Sequence, residues 1–229
     1  MLESLSSFVD VDGDYIELWS KFALPRWLIQ AYAAADGGEN SGCSRAMAKY
    51  EYVLMLIGAQ GAAKTSFFKF ITPDDLKDYL VDGAILDPNN KDSVSYVISN
   101  WIAELGEIEA TTRKSDHSQL KAFLSKVRDT MRLPYDKAPC TMKRRTVFGA
   151  SANDERFMPD RTGSRRFWAI KVNNINLPEK GEFDIDQLWA QVKHLYLQGE
   201  IWWDEDGMRE LVDAAGKRHA SDNSVRDAL

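Results

Sequence analysis

Apolar positions along the chain fall into two patterns: short continuous runs of strand length, and longer stretches where bulky residues recur at helical spacing. YVLMLI (Tyr52–Ile57) is apolar on both faces, as a strand in the buried centre of a parallel sheet must be. A second strand is expected at Thr146–Ala150, ending at polar Ser151 and Asn153, and a third after the turn in RTGSRRFWAIKV. VDGAILDPNNKDS reads as loop and strand edge, and SVSYVISNWIAELGEIEATTRK as a segment with a β-rich apolar core that ends in acidic residues. Helical spacing predicts Tyr15–Ala35, anchored by Trp19, Phe22, Trp27 and Tyr32 and kinked or split by Pro25. It also predicts a helix from Lys64 to about Ile71. A short helix follows, with Thr72 as N-cap and Pro73 in its first position. Further helices are expected in SDHSQLKAFLSKVRDTMRLPY, with Leu120, Phe123, Leu124 and Val127 on one face, and in IDQLWAQVKHLYLQG, with Leu188, Val192 and Leu195 on one side. Strands alternating with helices predict an α/β fold with a mostly parallel sheet flanked by helices.

Within that frame, four segments carry candidate chemistry. The first is GAQGAAKTS, Gly58 to Ser66, between the apolar strand and a helix. It follows the phosphate-loop pattern G-x-x-x-x-G-K-[ST] at all but one position, a pattern in which inward-pointing N–H groups and a helix N-terminus cradle phosphate. Gly58, Ala59, Gln60, Gly61, Ala62, Ala63, Lys64, Thr65 and Ser66 are the candidate ATP-binding residues. Lys64 would reach the terminal phosphates, and the Thr65 hydroxyl would ligate magnesium. Ala63 stands where the pattern has glycine; if positive φ is required there, alanine costs about 1–2 kcal/mol. Alone, the segment reads equally as an ordinary strand–turn–helix.

The second segment offers Glu104, placed nearer the metal, and Glu107, placed as catalytic base, after an apolar run. In the third, Asn153 lies where a strand end could sense a phosphate or an attacking water; an Asn-Asp turn is the plainer reading. The fourth is the pair Arg165 and Arg166, of which one could pack internally while the other reaches a neighbour's nucleotide. A surface basic pair is the plainer reading there.

Composition narrows the classes. The formal net charge of −6 over 229 residues excludes a general basic nucleic-acid coat but not a local stripe. Lys121, Arg128 and Arg132 would lie near one polar side of a helix, followed by the basic run Lys137, Lys143, Arg144 and Arg145. The two cysteines are far apart, and the three histidines form no ligand spacing, so free thiols in a reducing cytoplasm and no zinc-type site are expected. No apolar run reaches the ~20 residues that span a bilayer, and the acidic N-terminus lacks the basic start of a secretory signal. The polar end at KRHASDNSVRDAL leads us to expect a piece of a longer chain.

In this order the four segments resemble the virulence-associated protein E family, phage- and island-encoded P-loop ATPases related to superfamily 3 helicases. The resemblance rests on LIGAQGAAKTSFF, on WIAELGEIEATTRKSDHSQLKAFLSKVRDTMRLPY, on RRTVFGASANDERFMPDRTGSRRFW and on QLWAQVKHLYLQGEIWW, from about Trp19 to about Trp203. It implies a helicase-like AAA+ core, residues 46–203, after an N-terminal helical segment, 1–45, and before a C-terminal segment, 204–229. It implies ATP and magnesium as cofactors, with Lys64 and Thr65 as Walker A, Thr65 and Glu104 at the metal, Glu104 and Glu107 in the Walker B region and Asn153 as sensor 1. Arg165 or Arg166 would be the arginine finger of a hexameric or similar ring. Lys121, Ser125, Asp129 and Arg132 look like the motif that faces single-stranded DNA. The DNA-binding candidates are Lys121, Arg128, Arg132, Lys143 and Arg144. The implied setting is DNA replication in a bacterial cytoplasm, without membrane, beside a primase or polymerase region of the same polypeptide. Two other classes stay open: a nucleotide- or DNA-binding scaffold weakened by Ala63, and a P-loop kinase.

Overall fold

The structure is a computed structural model that describes residues 1–43, 49–106, 116–131, 138–153 and 166–203. Its centre is a six-stranded sheet in which five strands run parallel. In chain order the strands are β1 (Val9–Val11), β2 (Val53–Ile57), β3 (Leu80–Ala84), β4 (Ile102–Leu105), β5 (Arg128–Met131), β6 (Cys140–Lys143), β7 (Val147–Ala152) and β8 (Phe167–Ile175). The sheet order is β1-β8-β2-β7-β4-β3, with β1 antiparallel at one edge, while β5 and β6 form a separate hairpin. β2, the expected central strand, is buried at all five positions between β7 and β8. β7 therefore separates β2 from β4, and this order brings distant segments of the chain together.

Helices cover the sheet: α1 (Leu2–Ser7), α2 (Leu24–Asp36), α3 (Lys64–Ile71), α4 (Lys91–Ile98), α5 (Asp116–Leu124) and α6 (Ile185–Leu197). One apolar cluster joins α2, α3 and α6 to one side of the sheet; a second joins Val97 of α4 and Leu120, Phe123 and Leu124 of α5 to the other. The N-terminal segment is thus part of this core. Trp27 donates its indole N–H to the Phe148 carbonyl at 2.8 Å, and Gln30 is clamped to both backbone groups of Tyr52. Gly149 makes room for Phe68, whose ring would lie 2.3 Å from an added Cβ. Among the described residues, no helix is long and apolar enough to cross a membrane.

Several elements differ from the sequence reading, each for a local reason. Ser93–Ile98 is helical rather than β-rich, because the Asn90 side chain caps α4 by accepting from Asp92 N and Ser93 N. The helix expected through SDHSQLKAFLSKVRDTMRLPY stops at Leu124, and Arg128–Met131 becomes a strand of the hairpin, paired in register with Cys140–Lys143. Pro25 sits in the first turn of α2 after a π-helical turn, Leu18–Ala23, which accommodates its missing N–H. Thr72 ends α3, with its hydroxyl donating to the Phe68 carbonyl; the short helix that follows is 3-10, Asp74–Tyr79, capped by Pro73. The stretch read as loop and strand edge from Val81 opens in strand β3.

Candidate functional site

Parallel strands place their carboxyl ends on one edge of a sheet, where open α/β folds bind ligands. Here that edge carries a cavity of about 630 Å³. One wall runs from Gln60 to Ser66, and the other holds Gly83, Gly106, Ser151 and Asn153. The glycine loop is shaped by close approach and by handedness. A Cβ on Gly58 would lie 2.3 Å from the Val172 carbonyl oxygen, so only glycine fits as the chain leaves β2. Gly61 has φ +88° and open space around it. Ala63 has φ 58° and ψ 25°, and is the one non-glycine in the left-handed region among the described residues. The position where the pattern calls for glycine does demand positive φ, and alanine adopts it.

Helix α3 starts at Lys64, so its first N–H groups open into the cavity beside the loop amides, an arrangement that favours anions. Lys64 is nearly buried, 7% exposed. It donates to the carbonyls of Gly58 at 2.7 Å and Ala59 at 2.8 Å, and to Asn153 Oδ1 at 3.2 Å. The Glu104 side chain, on fully buried Glu104 of β4, faces the next residue of the same helix: Thr65 Oγ1 lies 3.4 Å from Glu104 Oε1. The other Glu104 contacts are Ser151 Oγ, 2.6 Å from Oε1, and the Gly83 amide, 2.7 Å from Oε2. Two hard oxygen groups therefore meet at one point, a donor set suited to magnesium completed by phosphate and water. Among the described residues no group of three or more His, Cys, Asp or Glu could hold a metal by itself.

Of the residues singled out by sequence, Gly58 to Ser66, Glu104 and Asn153 are brought together at this edge. Glu107, Arg132 and Arg165 lie outside the described residues. Arg166 is at the far edge. Phe167, the first residue of β8, pairs with Val53 at the start of β2, so about 16 Å of strand separates Arg166 from the loop. There Nε of Arg166 donates to Glu51 Oε2 at 2.7 Å and to Ser125 Oγ at 3.0 Å. Burial pushes the Glu51 carboxyl up, but hydrogen bonds from Ser125 and Arg166 outweigh it and hold it below the ordinary range. Arg166 is thus held against these two side chains.

The basic candidates separate as well. Arg128 and Lys143 are cross-strand partners on the exposed β5–β6 hairpin, with Lys143 ion-paired to Glu39 at 2.9 Å. Lys121 is half-buried on α5 rather than aligned with Arg128 along one helix. Arg144 is not a surface residue: it is 2% exposed, with its guanidinium bonded twice to Asp129 and once to the Phe123 carbonyl. Its role in this structure is to fix the hairpin base, which corrects its placement among residues that touch DNA.

Sequence reasoning missed Ser151, Gly83 and Gly106. Only Ser151 left a trace, as the polar residue two before Asn153 on a strand, and hence on the same face.

The chain is similar in fold to solved structures, two of which follow. One is the apo structure of NrS-1 C terminal region (305-718), at 15% identity and TM-score 0.52, covering 96% of this chain and 50% of that one. The other is the A form apo structure of NrS-1 C terminal region-CTR, at 16% identity and TM-score 0.50, covering 95% of this chain and 50% of that one. This chain thus spans about half the length of those chains, and at such identity the likeness is one of fold alone. No curated protein matches the sequence. The description "Virulence-associated protein E-like domain" matches residues 24–221. That match covers most of the sequence, including every segment that builds the cavity, and the chain belongs to the virulence-associated protein E-like domain family.

Proposed function

We propose that the protein is an ATP-hydrolysing, helicase-like domain of a DNA-replication protein, acting on single-stranded DNA as a ring of like subunits in the bacterial cytoplasm. The observation that carries this reading is that Lys64, Thr65 and Asn153 line one cavity while buried Glu104 lies behind it, bonded to Thr65, the four coming from segments distant in sequence. On this reading the loop 58–66 is a P-loop and the fold that of a P-loop ATPase. The site fits ATP with magnesium: the cavity has the size of a small-molecule site, the loop amides and α3 favour phosphate, and Thr65 and Glu104 present hard oxygens.

When bound, magnesium would supply charge neutralisation on the phosphates. Lys64 would turn its ammonium from the Gly58 and Ala59 carbonyls to the phosphate oxygens. Asn153, now paired with Lys64, would report on the terminal phosphate. Glu107, three residues beyond Glu104, would accept a proton from the attacking water. The arginine must come from elsewhere, because Arg166 is held about 16 Å of strand away from its own loop. Arg165 of a neighbouring copy fits that need and motivates the ring. The hairpin, with all four β6 residues exposed and Arg128 beside Lys143, is the DNA-facing element. A primase or polymerase region would lie elsewhere in the same polypeptide.

The test is ATP hydrolysis with and without single-stranded DNA, repeated with Lys64→Ala, together with native mass in ATP and magnesium. Stimulation by DNA, loss of activity in Lys64→Ala and a nucleotide-dependent ring are expected. Activity that survives Lys64→Ala would rule out this site. A second reading is favoured by the left-handed conformation of Ala63: a scaffold that binds nucleotide or DNA without turnover. It is recognised by nucleotide binding with no hydrolysis.

A further inference from the structure

We infer that Ser151 is a positioning residue which, with the Gly83 amide, fixes the Glu104 carboxylate in the orientation from which it shares a divalent cation with Thr65. The inference rests on the magnesium–nucleotide reading above and assigns a task to residues that reading leaves idle.

Glu104 is fully buried, so each of its carboxylate oxygens needs a partner. Three donors surround it, and they are unequal. Ser151 Oγ at 2.6 Å and Gly83 N at 2.7 Å make short bonds from strands of the sheet. Thr65 Oγ1 at 3.4 Å makes a long one from the first turn of α3. The framework donors hold the carboxylate, and the long contact is the one a cation can replace without disturbing the others.

The backbone is bent to provide the Gly83 bond. The β3–β4 pairing shifts register between Val81 and Ala84, so the chain bulges there and Gly83 takes φ +62°. The bulge presses on β4: a Cβ on Gly106 would lie 2.8 Å from Gly83 Cα. Glycine at both positions thus permits an amide to point at Oε2.

The sheet order supplies the other bond. β7 lies between β2 and β4, with Ser151 in its last two residues and Asn153 just past its end. Asn153 meets Lys64 of the phosphate loop, and Ser151 meets Glu104 of the neighbouring strand. One strand end therefore touches both halves of the site. Ser151 acts through Glu104, which separates it from the residues that would contact nucleotide.

The experiment titrates magnesium against a fluorescent ADP analogue bound to the full chain, for wild type, Ser151→Ala and Ser151→Thr, with binding in EDTA as a second readout. Ser151→Ala is expected to raise half-saturating magnesium by about tenfold or more, the usual loss when an outer partner of a metal ligand is removed. Affinity in EDTA should be unchanged, and Ser151→Thr, which keeps the hydroxyl, should restore the wild-type midpoint. An unchanged magnesium midpoint in Ser151→Ala overturns the inference while leaving the site assignment intact. So does an equal loss of affinity with magnesium and with EDTA, since that reports general damage to the pocket. A wild-type chain that binds no nucleotide with magnesium overturns the proposed function and this inference together.

Discussion

Arg144 offers a sharp test, because the sequence places it in a basic run facing DNA and the structure places it in the core. Its side chain is fully buried and that of Asp129 is 5% exposed. Nε donates to Asp129 Oδ2 at 2.8 Å, Nη2 to Asp129 Oδ1, and Nη1 to the Phe123 carbonyl at 2.7 Å. The guanidinium also lies 4.2 Å from the centre of the Phe123 ring. Truncation in Arg144→Ala would strand a buried carboxylate and an unpaired carbonyl. Removing one partner of such a pair costs about 3–5 kcal/mol. For a chain of this size each kcal/mol lowers Tm by about 2–4 °C, so the fall should be on the order of 6–20 °C. Thermal unfolding followed by circular dichroism measures it. The double replacement Arg144→Met with Asp129→Leu removes both charges and should recover much of the loss. A surface DNA contact predicts the opposite result: an unchanged Tm and a salt slope of DNA binding smaller by about 0.7. Observing that pair of results would refute the burial argument.

Three further outcomes are expected. Ala63→Gly relieves about 1–2 kcal/mol of left-handed strain but returns about 0.4–1 kcal/mol of freedom to the unfolded chain, so unfolding should shift by less than about 1 kcal/mol. On the proposed function, turnover of ATP by that variant should rise, and an unchanged rate would show that the alanine does not limit the site. Glu51 is held below its ordinary value of 4.5, so its stabilising contribution is complete above that pH and is lost as pH falls through the lowered value. Glu51→Gln should therefore flatten the acid limb of a plot of Tm against pH, and an identical limb would count against the Ser125–Arg166 network. Gly149→Ala would drive a Cβ to 2.3 Å from the buried Phe68 ring; a cost of about 1–3 kcal/mol is expected in denaturant unfolding.

What could be read from the sequence was whatever depends on local spacing. β2 was legible because a strand buried on both faces must be apolar throughout, and the loop after it because glycine, lysine and threonine must follow in fixed order. α4 was hidden because its β-branched and aromatic residues pointed to a strand, while the deciding feature was one capping asparagine. The split of α5 from the hairpin was hidden because Arg128–Met131 takes its form from pairing with Cys140–Lys143, a long-range choice. The same division runs through the site. Asn153 could be nominated as a polar strand end, yet its meeting with Lys64 depends on β7 lying between β2 and β4, which no stretch of sequence states. Arg165 and Arg166 looked interchangeable as neighbours in the chain. Arg166 is anchored to Glu51 and Ser125 at the start of β8, and Arg165 lies outside the described residues. Arg166 is a strand's length from the cavity of its own chain, so on the proposed function its use at a nucleotide would require a second copy of the protein. On the proposed function, the question whether this chain turns over nucleotide alone is therefore bound to the question whether it assembles, and a turnover per chain that rises with protein concentration would answer both.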